Sequence, residues 1–341
     1  MDKPVISIIT PTFNRCDEVY HLIKSIEAQT LDHSLFEHII SDDGSTDDTK
    51  DIVKGLQGKV NFPLYFITQS NQGPGAARNH GLEKSTGQLI LFIDSDCEAD
   101  PNWAETIYSE FLNNPFSACG GPDASKADFS AIQKAIDFSM TSFLTTGGMR
   151  GHSEKMLAKF YPRTHNMGIT KNLYNKVGGF GPLRHGQDIE LSNRIRKTNA
   201  NIRFIKNAIV YHRRRTTIQQ FFKQVFNWGV ARVNLFQIDK QMLEPIHMIP
   251  SMALILIISF VFAAFLGFTL FQRILEVGLI LLLSLSIWGG ITRKSLYVAL
   301  LLPIIVPIQI GGYGLGFVCA LISGFVLGRN SMIGFVNKYY R

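Results

Sequence analysis

The sequence predicts an α/β fold with a mostly parallel sheet, followed by an α-helical membrane region. Over the first hundred residues, short apolar segments typical of buried strands alternate with segments whose apolar residues recur at helical spacing. Such alternation predicts a parallel sheet covered by helices on both faces. After Ser251 the chain becomes strongly apolar, as a bilayer-crossing helix of about 20 residues requires.

Strands and helices alternate regularly in the first part of the chain. The strands are predicted at VISIITPTF, FEHIISDD, PLYFIT and QLILFID. The helices are predicted at DEVYHLIKSIEAQ, STDDTKDIVKGL, GPGAARNHGLEKS and PNWAETIYSEFLNN. Further along, DFSAIQKAIDFSM and a segment from about Asp188 are predicted as helices, and IRFIKNAIVYH as one strand or two.

The segments that follow the strands are rich in polar and acidic residues. They are TPTFN, SDDGS, TQSNQGPG and DSDCEAD. Ligands of open parallel sheets bind beyond the carboxyl ends of the strands, so we expect the functional site there. The Gly-rich stretch from Thr145 to Lys155 is expected to form a mobile lid over it.

The predicted organisation has four parts. An α/β domain occupies residues 1–215, an amphipathic interface helix region 216–247, a membrane region 248–328 and a basic tail 329–341. Spans are predicted at 250–271, 275–291 and 296–328. The last is long enough to break at Pro303, Pro307 or the GGYG sequence, so three and four spans both stay open, and the basic tail favours an even number.

The net charge of +7 mainly reflects the membrane region, where six basic residues face one acid from residue 248 onward. This excess of basic residues reflects membrane topology and contact with anionic lipid, and it does not suggest nucleic-acid binding.

The N-terminus lacks the pattern of a signal peptide, and four scattered cysteines suit a reducing compartment. We therefore expect a multi-pass protein of the inner (cytoplasmic) membrane with a cytosolic α/β domain. Homo-oligomerisation is left open.

Four acids follow the apolar segment LILFI: Asp94, Asp96, Glu98 and Asp100. In an extended strand, residues i and i+2 point to the same side, so Asp94 and Asp96 can present two carboxylates in one direction. Neighbouring carboxylates repel each other unless a cation lies between them. Mg²⁺ or Mn²⁺ often shares such a site with substrate phosphates, which makes a metal and phosphate site the leading interpretation.

Three other interpretations of these acids stay open. They could solvate a loop and cap the next helix, as Asp100 before Pro101 is expected to do. A calcium loop beginning at Asp94 would need a glycine where Ala99 stands, and a helix rather than a strand before it. An acid pair for glycoside hydrolysis would need a wider separation than strand positions two apart provide.

Six segments resemble, in order and spacing, the motifs of family 2 glycosyltransferases, which are inverting enzymes of the GT-A fold. The segments are TPTFNR, SDDGSTDDT, NQGPGAARNHG, FIDSDCEAD, VGGFGPLRHGQDIEL and IVYH. The resemblance covers about residues 4–230 and points to membrane-anchored bacterial members that build exopolysaccharide, capsule or lipid-linked glycans. It implies a nucleotide-sugar donor, expected to be a UDP-sugar, and a Mn²⁺ or Mg²⁺ cofactor.

The resemblance also implies roles for individual residues. Carboxylates suit a nucleotide site because the uracil N–H and the ribose hydroxyls are donors. The metal ligands implied are Asp94, Asp96 and, as in some relatives, His212, although a lone histidine at a strand end could equally be structural. The donor-binding residues implied are Pro11, Thr12, Asn14, Asp42, Asp43, Asn71, Gly73, Arg78, Asp94, Ser95 and Asp96.

The segment GQDIEL resembles the family motif whose aspartate is the general base. Asp188 is thus expected to remove the proton of the acceptor hydroxyl. Gln187 stands where the family has Glu, which removes a like charge and should lower the pKa of Asp188 relative to the usual pair. Both residues are expected to face the acceptor or the diphosphate.

The segment QVFNW, Gln224 to Trp228, resembles the Gln-x-x-Arg-Trp motif of processive family members, with Asn227 where Arg belongs. The missing Arg argues against processive synthesis. The residues expected near the acceptor or the diphosphate are Gln224, Trp228 and Arg215. Contact of the RRR sequence with anionic lipid is an equal alternative.

The predicted function is single-sugar transfer to a lipid-linked or glycan acceptor. The alternatives are a processive polysaccharide synthase and a catalytically silent scaffold that binds nucleotide sugar.

Overall fold

The computed structural model describes residues 4–124, 129–146, 160–329, 332, 334 and 335. The chain forms two compact units. The first contains Met1–Ala124, Gly151–Arg213 and Asn337–Arg341, and the second Ser125–Arg150 and Arg214–Val336. Most of the predicted lid, Thr145 to Lys155, and most of the basic tail lie outside the described residues.

Among the described residues of the first unit, ten strands form two sheets. They are β1 (Ile6–Thr12), β2 (Phe36–Asp42), β3 (Leu64–Thr68), β4 (Leu89–Phe92), β5 (Cys97–Ala99), β6 (Ala118–Gly120), β7 (Asp123–Ala124), β8 (Met167–Thr170), β9 (Ile202–Phe204) and β10 (Val210–His212). The large sheet has the order β3-β2-β1-β4-β8-β6-β9, and the small one β5-β10-β7. In the large sheet only β8 is antiparallel to its neighbours β4 and β6, so the prediction of a mostly parallel sheet is confirmed.

Twelve α-helices occur in the described residues. They are α1 (Cys16–Glu27), α2 (Thr49–Leu56), α3 (Pro74–Lys84), α4 (Trp103–Asn113), α5 (Ala131–Thr141), α6 (Phe143–Thr146), α7 (Lys171–Val177), α8 (Gln187–Lys197), α9 (Ile218–Ile238), α10 (Ile249–Phe265), α11 (Thr269–Thr292) and α12 (Leu296–Leu321). Short 3-10 turns occupy His33–Leu35, Lys240–Met242 and Pro245–Met248, and a π-helical turn, Ile322–Val326, follows α12.

Three central strands of the large sheet, β1, β2 and β4, are buried on both faces, as is typical of a parallel sheet covered by helices. Every residue of β1, β2 and β4 is buried. Ile8 belongs to one core cluster and the adjacent Ile9 to a second, on the opposite face. The sheet is therefore a rigid platform whose carboxyl-end loops can be positioned accurately.

In the second unit, α9 packs against α12 over much of its length. Gly316 of α12 allows this close approach, because an added Cβ would overlap the carbonyl of Phe226 in α9. Phe221 and Val225 of α9 share a core cluster with α5 and α12. The prediction that residues 216–238 form a helix is confirmed. Its expected place at the membrane interface stays a prediction.

Three described helices are long and apolar enough to cross a membrane: Pro245–Phe265, Thr269–Thr292 and Leu296–Val326. Helix α12 runs without interruption through Pro303, Pro307 and the GGYG sequence. The described helices therefore favour three spans over four. Helix α5 lies within the range expected for the α/β domain, but it packs on α12 in the second unit.

Candidate functional site

A cleft opens at the carboxyl ends of β1, β2 and β4, as expected for a mostly parallel sheet. Its empty volume, including the part open to solvent, is about 360 Å³. Six of its lining residues were predicted as donor-binding: Pro11, Thr12, Asp43, Asn71, Gly73 and Ser95. Five others were not: Phe13, Arg15, Pro74, Ala77 and Arg184. Arg15 directly follows the motif TPTFN, and Arg184 precedes the motif GQD. Their closeness to these motifs in the sequence could have identified both arginines as candidate site residues.

The two neighbouring acids of SDDGS have different surroundings. Asp42 accepts hydrogen bonds from the backbone N–H groups of Gly44 and Ser45 and from the hydroxyls of Ser45 and Thr68. Asp43 accepts from the backbone of Gln72 and Gly73, at 2.9 and 2.7 Å, and lines the cleft. Asp42 thus holds the turn together, while Asp43 shapes the loop that borders the cleft.

Asn14, also predicted to bind the donor, connects two loops and is not among the residues that line the cleft. Its side-chain oxygen accepts from the N–H of Thr46 at 2.7 Å, and its own N–H donates to the hydroxyl of Ser45 at 2.8 Å. Asn14 therefore fixes the course of the chain between Phe13 and Arg15, which both line the cleft.

Asp94 and Asp96 lie in a turn between β4 and β5. The N–H of Cys97 donates to the carbonyl of Asp94 at 3.0 Å. The expectation of an extended strand at this point is therefore wrong, because the β4 ladder ends at Phe92. Nη2 of Arg78 lies 2.5 Å from Oδ1 of Asp94, and Nη1 of Arg15 lies 3.0 Å from Oδ2 of Asp96.

Arg78 is almost fully buried, at 4 % exposure. Besides Asp94, its guanidinium contacts the carbonyl of Pro74 and lies over the ring of Phe180, 5.4 Å from the ring centroid. It is not among the lining residues of the cleft. Its predicted contact with a donor phosphate stays a prediction.

The small sheet brings His212 to the acidic turn. The register of β10 with β5 pairs His212 with Cys97, and Nε2 of His212 lies 3.3 Å from Oδ1 of Asp96. Nδ1 of the same ring lies 3.7 Å from Oδ2 of the buried Asp123, and the ring stacks on that of His165 at 5.2 Å. Asp123 and His165 carried no sequence signal, because only the folded register brings them here.

The ligand atoms of Asp96, Cys97 and His212 lie within 4.8 Å of one another, and they form the one such group among the described residues. Carboxylate oxygen is a suitable ligand for Mg²⁺ and Mn²⁺, and neutral imidazole nitrogen is a common ligand of metal ions in general. The residues present therefore fit a divalent cation at Asp96 and His212. Asp94 is outside this group and faces Arg78.

Asp188 lies in the first turn of α8, where the helix dipole favours a negative charge. Its Oδ2 is 3.4 Å from Nη1 of Arg163, and its Oδ1 accepts from the N–H of Ile189 at 2.9 Å. Burial alone would raise the pKa of Asp188. The cations Arg163, Arg78 and His165, with the backbone hydrogen bond, outweigh burial and lower the pKa below its ordinary value.

Gln187 is buried against helix α3. A Cβ added to Gly75 would overlap Oε1 of Gln187 and lie 3.3 Å from Cβ of Phe180. The glycine of NQGPG therefore lets the start of α3 approach the start of α8. This close packing fixes the residue next to Asp188, so the two motifs form one structural element of the site.

The other predicted acceptor residues, Arg215, Gln224 and Trp228, belong to the second unit. Arg214, within the same RRR sequence, is 4 % exposed and pairs with Asp137 of α5 at 2.9 Å. The roles expected for Arg215, Gln224 and Trp228 stay predictions.

Asn227 occupies the position at which processive family members have Arg. Its side chain donates to the carbonyl of Phe335 at 3.3 Å and accepts from the N–H of Phe335 at 2.9 Å. Both ends of the amide thus bind the backbone of a single residue. Asn227 has a structural role in the second unit.

Comparison with known proteins supports a family assignment. The sequence model described as "Glycosyl transferase family 2" matches residues 7–184. A glycosyltransferase of Haloferax volcanii, AglE, is 24% identical over 238 residues, which are 70% of this chain and 76% of the relative. The GalNAc(5)-diNAcBac-PP-undecaprenol beta-1,3-glucosyltransferase of Campylobacter jejuni is 43% identical over 96 residues, which are 28% of this chain and 30% of that protein.

A solved structure shares the fold. The mannosyltransferase PcManGT from Pyrobaculum calidifontis, in complex with GDP-Man and Mn²⁺, aligns with a TM-score of 0.65. The alignment covers 90% of this chain and 88% of that chain, at 16% identity. This similarity confirms the predicted GT-A fold.

Proposed function

The chain belongs to glycosyl transferase family 2, and on that premise we propose that it transfers a single sugar from a nucleotide sugar to a membrane-associated acceptor with inversion. The proposed donor is a UDP-sugar, with a GDP-sugar as the competing candidate, since the structural neighbour carries GDP-Man. The proposed acceptor is a polyprenyl-linked glycan or a polysaccharide. The name of the Campylobacter relative includes an undecaprenol diphosphate, which supports a lipid-linked acceptor.

One observation supports the proposed site most directly. The guanidinium of Arg78 pairs with Asp94 at 2.5 Å and also lowers the pKa of Asp188. One buried cation thus connects the acidic turn with the proposed base. Within the same unit, that turn also carries Ser95, which lines the cleft, and Asp96, which is paired with His212.

In the proposed reaction, the carboxylate of Asp188 accepts the proton of the acceptor hydroxyl. The acceptor oxygen then forms a bond to the anomeric carbon, while the bond from that carbon to the diphosphate oxygen breaks. The departing nucleoside diphosphate takes the electron pair, and attack opposite to the leaving group inverts the anomeric carbon. Because the pKa of Asp188 is lowered, its carboxylate is ionised and available at neutral pH.

The proposed cofactor is Mn²⁺ or Mg²⁺, held by Asp96 and His212 and, as the resemblance implies, by Asp94. When bound, such a cation supplies Lewis-acid stabilisation of the departing diphosphate. Asp43, Asn71 and Gly73, which line the cleft, are proposed to hold the base and the ribose of the donor.

The bonds of Asn227 to Phe335 favour single-sugar addition over processive synthesis. A residue engaged in this way does not replace the Arg of the processive motif. We propose that the three apolar helices anchor the chain in the inner membrane as a multi-pass protein. The catalytic unit would then be cytosolic, on the membrane surface where a polyprenyl-linked acceptor resides.

The test uses the full chain in lipid nanodiscs with Mn²⁺, labelled UDP- and GDP-sugars and undecaprenyl-diphosphate-linked acceptors. Wild type should transfer one sugar, and Asp188→Asn should lose roughly a hundredfold or more of the rate while its affinity for the nucleotide stays within twofold. Asp51→Asn, on the exposed face of α2, serves as the control and should match wild type.

Three results would contradict parts of this proposal. Turnover of Asp188→Asn at the wild-type rate would reject the base. Binding of nucleotide sugar without transfer to any acceptor by wild type would support the silent scaffold. A ladder of long products would support a processive synthase.

A further inference from the structure

Arg15 is placed at the junction of the cleft and the acidic turn. It is the residue before α1, and its side chain extends from the loop after β1 to the turn after β4, the adjacent parallel strand. Its Nη1 lies 3.0 Å from Oδ2 of Asp96, and it lines the cleft together with Asp43 and Ser95. Arg15 therefore both contacts the carboxylate of Asp96 and borders the space proposed for the donor.

The backbone around Arg15 is held firmly. Its N–H donates to the hydroxyl of Thr49 at 3.3 Å, and the N–H of the next residue, Cys16, donates to Asp47 at 3.1 Å. The side chain is 16% exposed, so its contacts are partly shielded from water. The flexible part is thus the side chain, which can change partner without movement of the loop.

Asp96 has cationic or potentially cationic partners at both carboxylate oxygens. Oδ2 faces Arg15 and Oδ1 faces His212. The guanidinium of Arg15 lies 3.0 Å from Oδ2 of Asp96, so a divalent cation bound at this carboxylate would repel it strongly in such a partly buried site. Arg15 and the cation therefore compete for one carboxylate.

A displaced Arg15 would have a new partner in the cleft. Its planar group of N–H donors matches a diphosphate in geometry and charge. We propose that Arg15 exchanges between Asp96 and the diphosphate of the nucleotide, so that metal binding releases the arginine that then holds the donor. This inference rests on the proposed function. It makes Arg15 a positioning residue that couples the metal to the nucleotide.

The exchange predicts effects of opposite sign for one substitution. In Arg15→Ala, Mn²⁺ alone should bind roughly fivefold more tightly, because the competing cation is gone. UDP or GDP in saturating Mn²⁺ should bind about tenfold more weakly, because a charge-assisted contact is lost. Because Arg15 pairs with Asp96 when no cation is bound, the affinity for UDP or GDP alone should stay unchanged, so the enhancement of nucleotide affinity by Mn²⁺ should fall by the same factor of about ten.

The experiment is a calorimetric titration of the full chain in nanodiscs with Mn²⁺ alone, with UDP or GDP alone, and with each nucleotide in saturating Mn²⁺. Arg15→Lys keeps a charge near Asp96 and should bind Mn²⁺ alone within about twofold of wild type, yet bind nucleotide more weakly. Arg203→Ala is the matched control: it removes the ion pair between Arg203 of β9 and Glu110 of α4, and it should equal wild type throughout.

The outcomes separate this inference from the proposed function. If wild type binds both Mn²⁺ and nucleotide but Arg15→Ala leaves both affinities unchanged, only the exchange is rejected. If Arg15→Ala weakens Mn²⁺ binding, Arg15 supports Asp96 as a ligand and the exchange is again rejected. If wild type binds neither Mn²⁺ nor nucleotide, both proposals are overturned.

Discussion

Nε2 of His212 lies 3.3 Å from Oδ1 of Asp96. His212 ends β10 and Asp96 lies in the turn just before β5, and the antiparallel register of β10 with β5 brings these distant parts of the chain together. The approach places an imidazole nitrogen beside the carboxylate of Asp96, whose neighbours Ser95 and Arg15 line the cleft. Oδ2 of Asp123 lies 3.7 Å from Nδ1 of the same imidazole. A carboxylate therefore lies next to each of the two ring nitrogens of His212.

Replacement of His212 tests whether it binds a metal. His212→Ala should weaken Mn²⁺ binding at least about tenfold, because one of the three proposed protein ligands is lost. The Mn²⁺ affinity can be measured by titration calorimetry in saturating UDP. His21→Ala, on the exposed surface of α1, is the control. Equal affinities of His212→Ala and wild type would show that the histidine is structural.

Replacement of Arg163 tests the electrostatics of Asp188. Burial raises the pKa of this carboxyl, and Arg163 is the first of the cations that together lower it below 3.8, with Arg78 and His165 also contributing. Arg163→Ala should therefore raise the pKa of Asp188. A base must be deprotonated to act, so the acidic limb of kcat/KM should move to higher pH in the variant.

This shift can be measured as kcat/KM between about pH 4.5 and pH 8. Ionisation of the substrate is the same in the assays of wild type and variant, so it does not produce a difference between their pH profiles. Wild type should keep its activity towards the acidic end of this range, whereas Arg163→Ala should lose activity earlier. Superimposable pH profiles would mean either that Asp188 is not the base or that Arg163 does not influence it.

Replacement of Gly75 tests the close packing of α3 on α8. An added Cβ would overlap Oε1 of Gln187, so Gly75→Ala should displace the residue next to Asp188. We expect kcat to fall about tenfold or more, because small displacements of a catalytic group are costly. Gly55→Ala, in helix α2, is the matched control, since its added Cβ would meet nothing within 4 Å.

A double variant sharpens this prediction. Gln187→Ala removes the atom that the new methyl group would meet, so Gly75→Ala should cost less in a Gln187→Ala background than in wild type. Additive effects of the two substitutions would show that Gly75 acts elsewhere.

Replacement of Gly316 tests the packing of α9 on α12. An added Cβ would overlap the carbonyl of Phe226, so the two helices must separate. Gly316→Ala should reduce stability by about 1–3 kcal/mol, seen as a lower thermal midpoint of the full chain in nanodiscs. Gly311→Ala lies in the same helix with nothing within 4 Å of its added Cβ, and it should keep the wild-type midpoint. Equal midpoints for both variants would contradict the packing.

The sequence was informative where local patterns decide structure. The elements from β1 to β4 follow the expected alternation of strands and helices, because β1, β2 and β4 are buried along their whole length and the helices between them each bury several residues. The prediction that IRFIKNAIVYH forms one strand or two is resolved as two, β9 and β10, in different sheets. Helix α5 was predicted from its spacing, but spacing does not identify the partner, which is α12.

The site was less predictable, because its geometry depends on contacts between distant segments. The carboxylates of Asp94 and Asp96 were expected to share one direction, yet the strand ends at Phe92 and the two acids lie in a turn with different arginines. Asp123 and His165 join the site only through the register of the small sheet and ring stacking. No local motif marks either residue.

The most direct test of the account is pulsed EPR of Mn²⁺ bound to the full chain in nanodiscs with UDP or GDP. If Asp96 and His212 hold the cation against the diphosphate of the donor, the spectrum should contain a nitrogen coupling that disappears in His212→Ala and a phosphorus coupling from the nucleotide. Asp96→Asn should greatly reduce the bound Mn²⁺ signal. A bound Mn²⁺ that has no phosphorus coupling and is unchanged by Asp96→Asn would contradict the central claim.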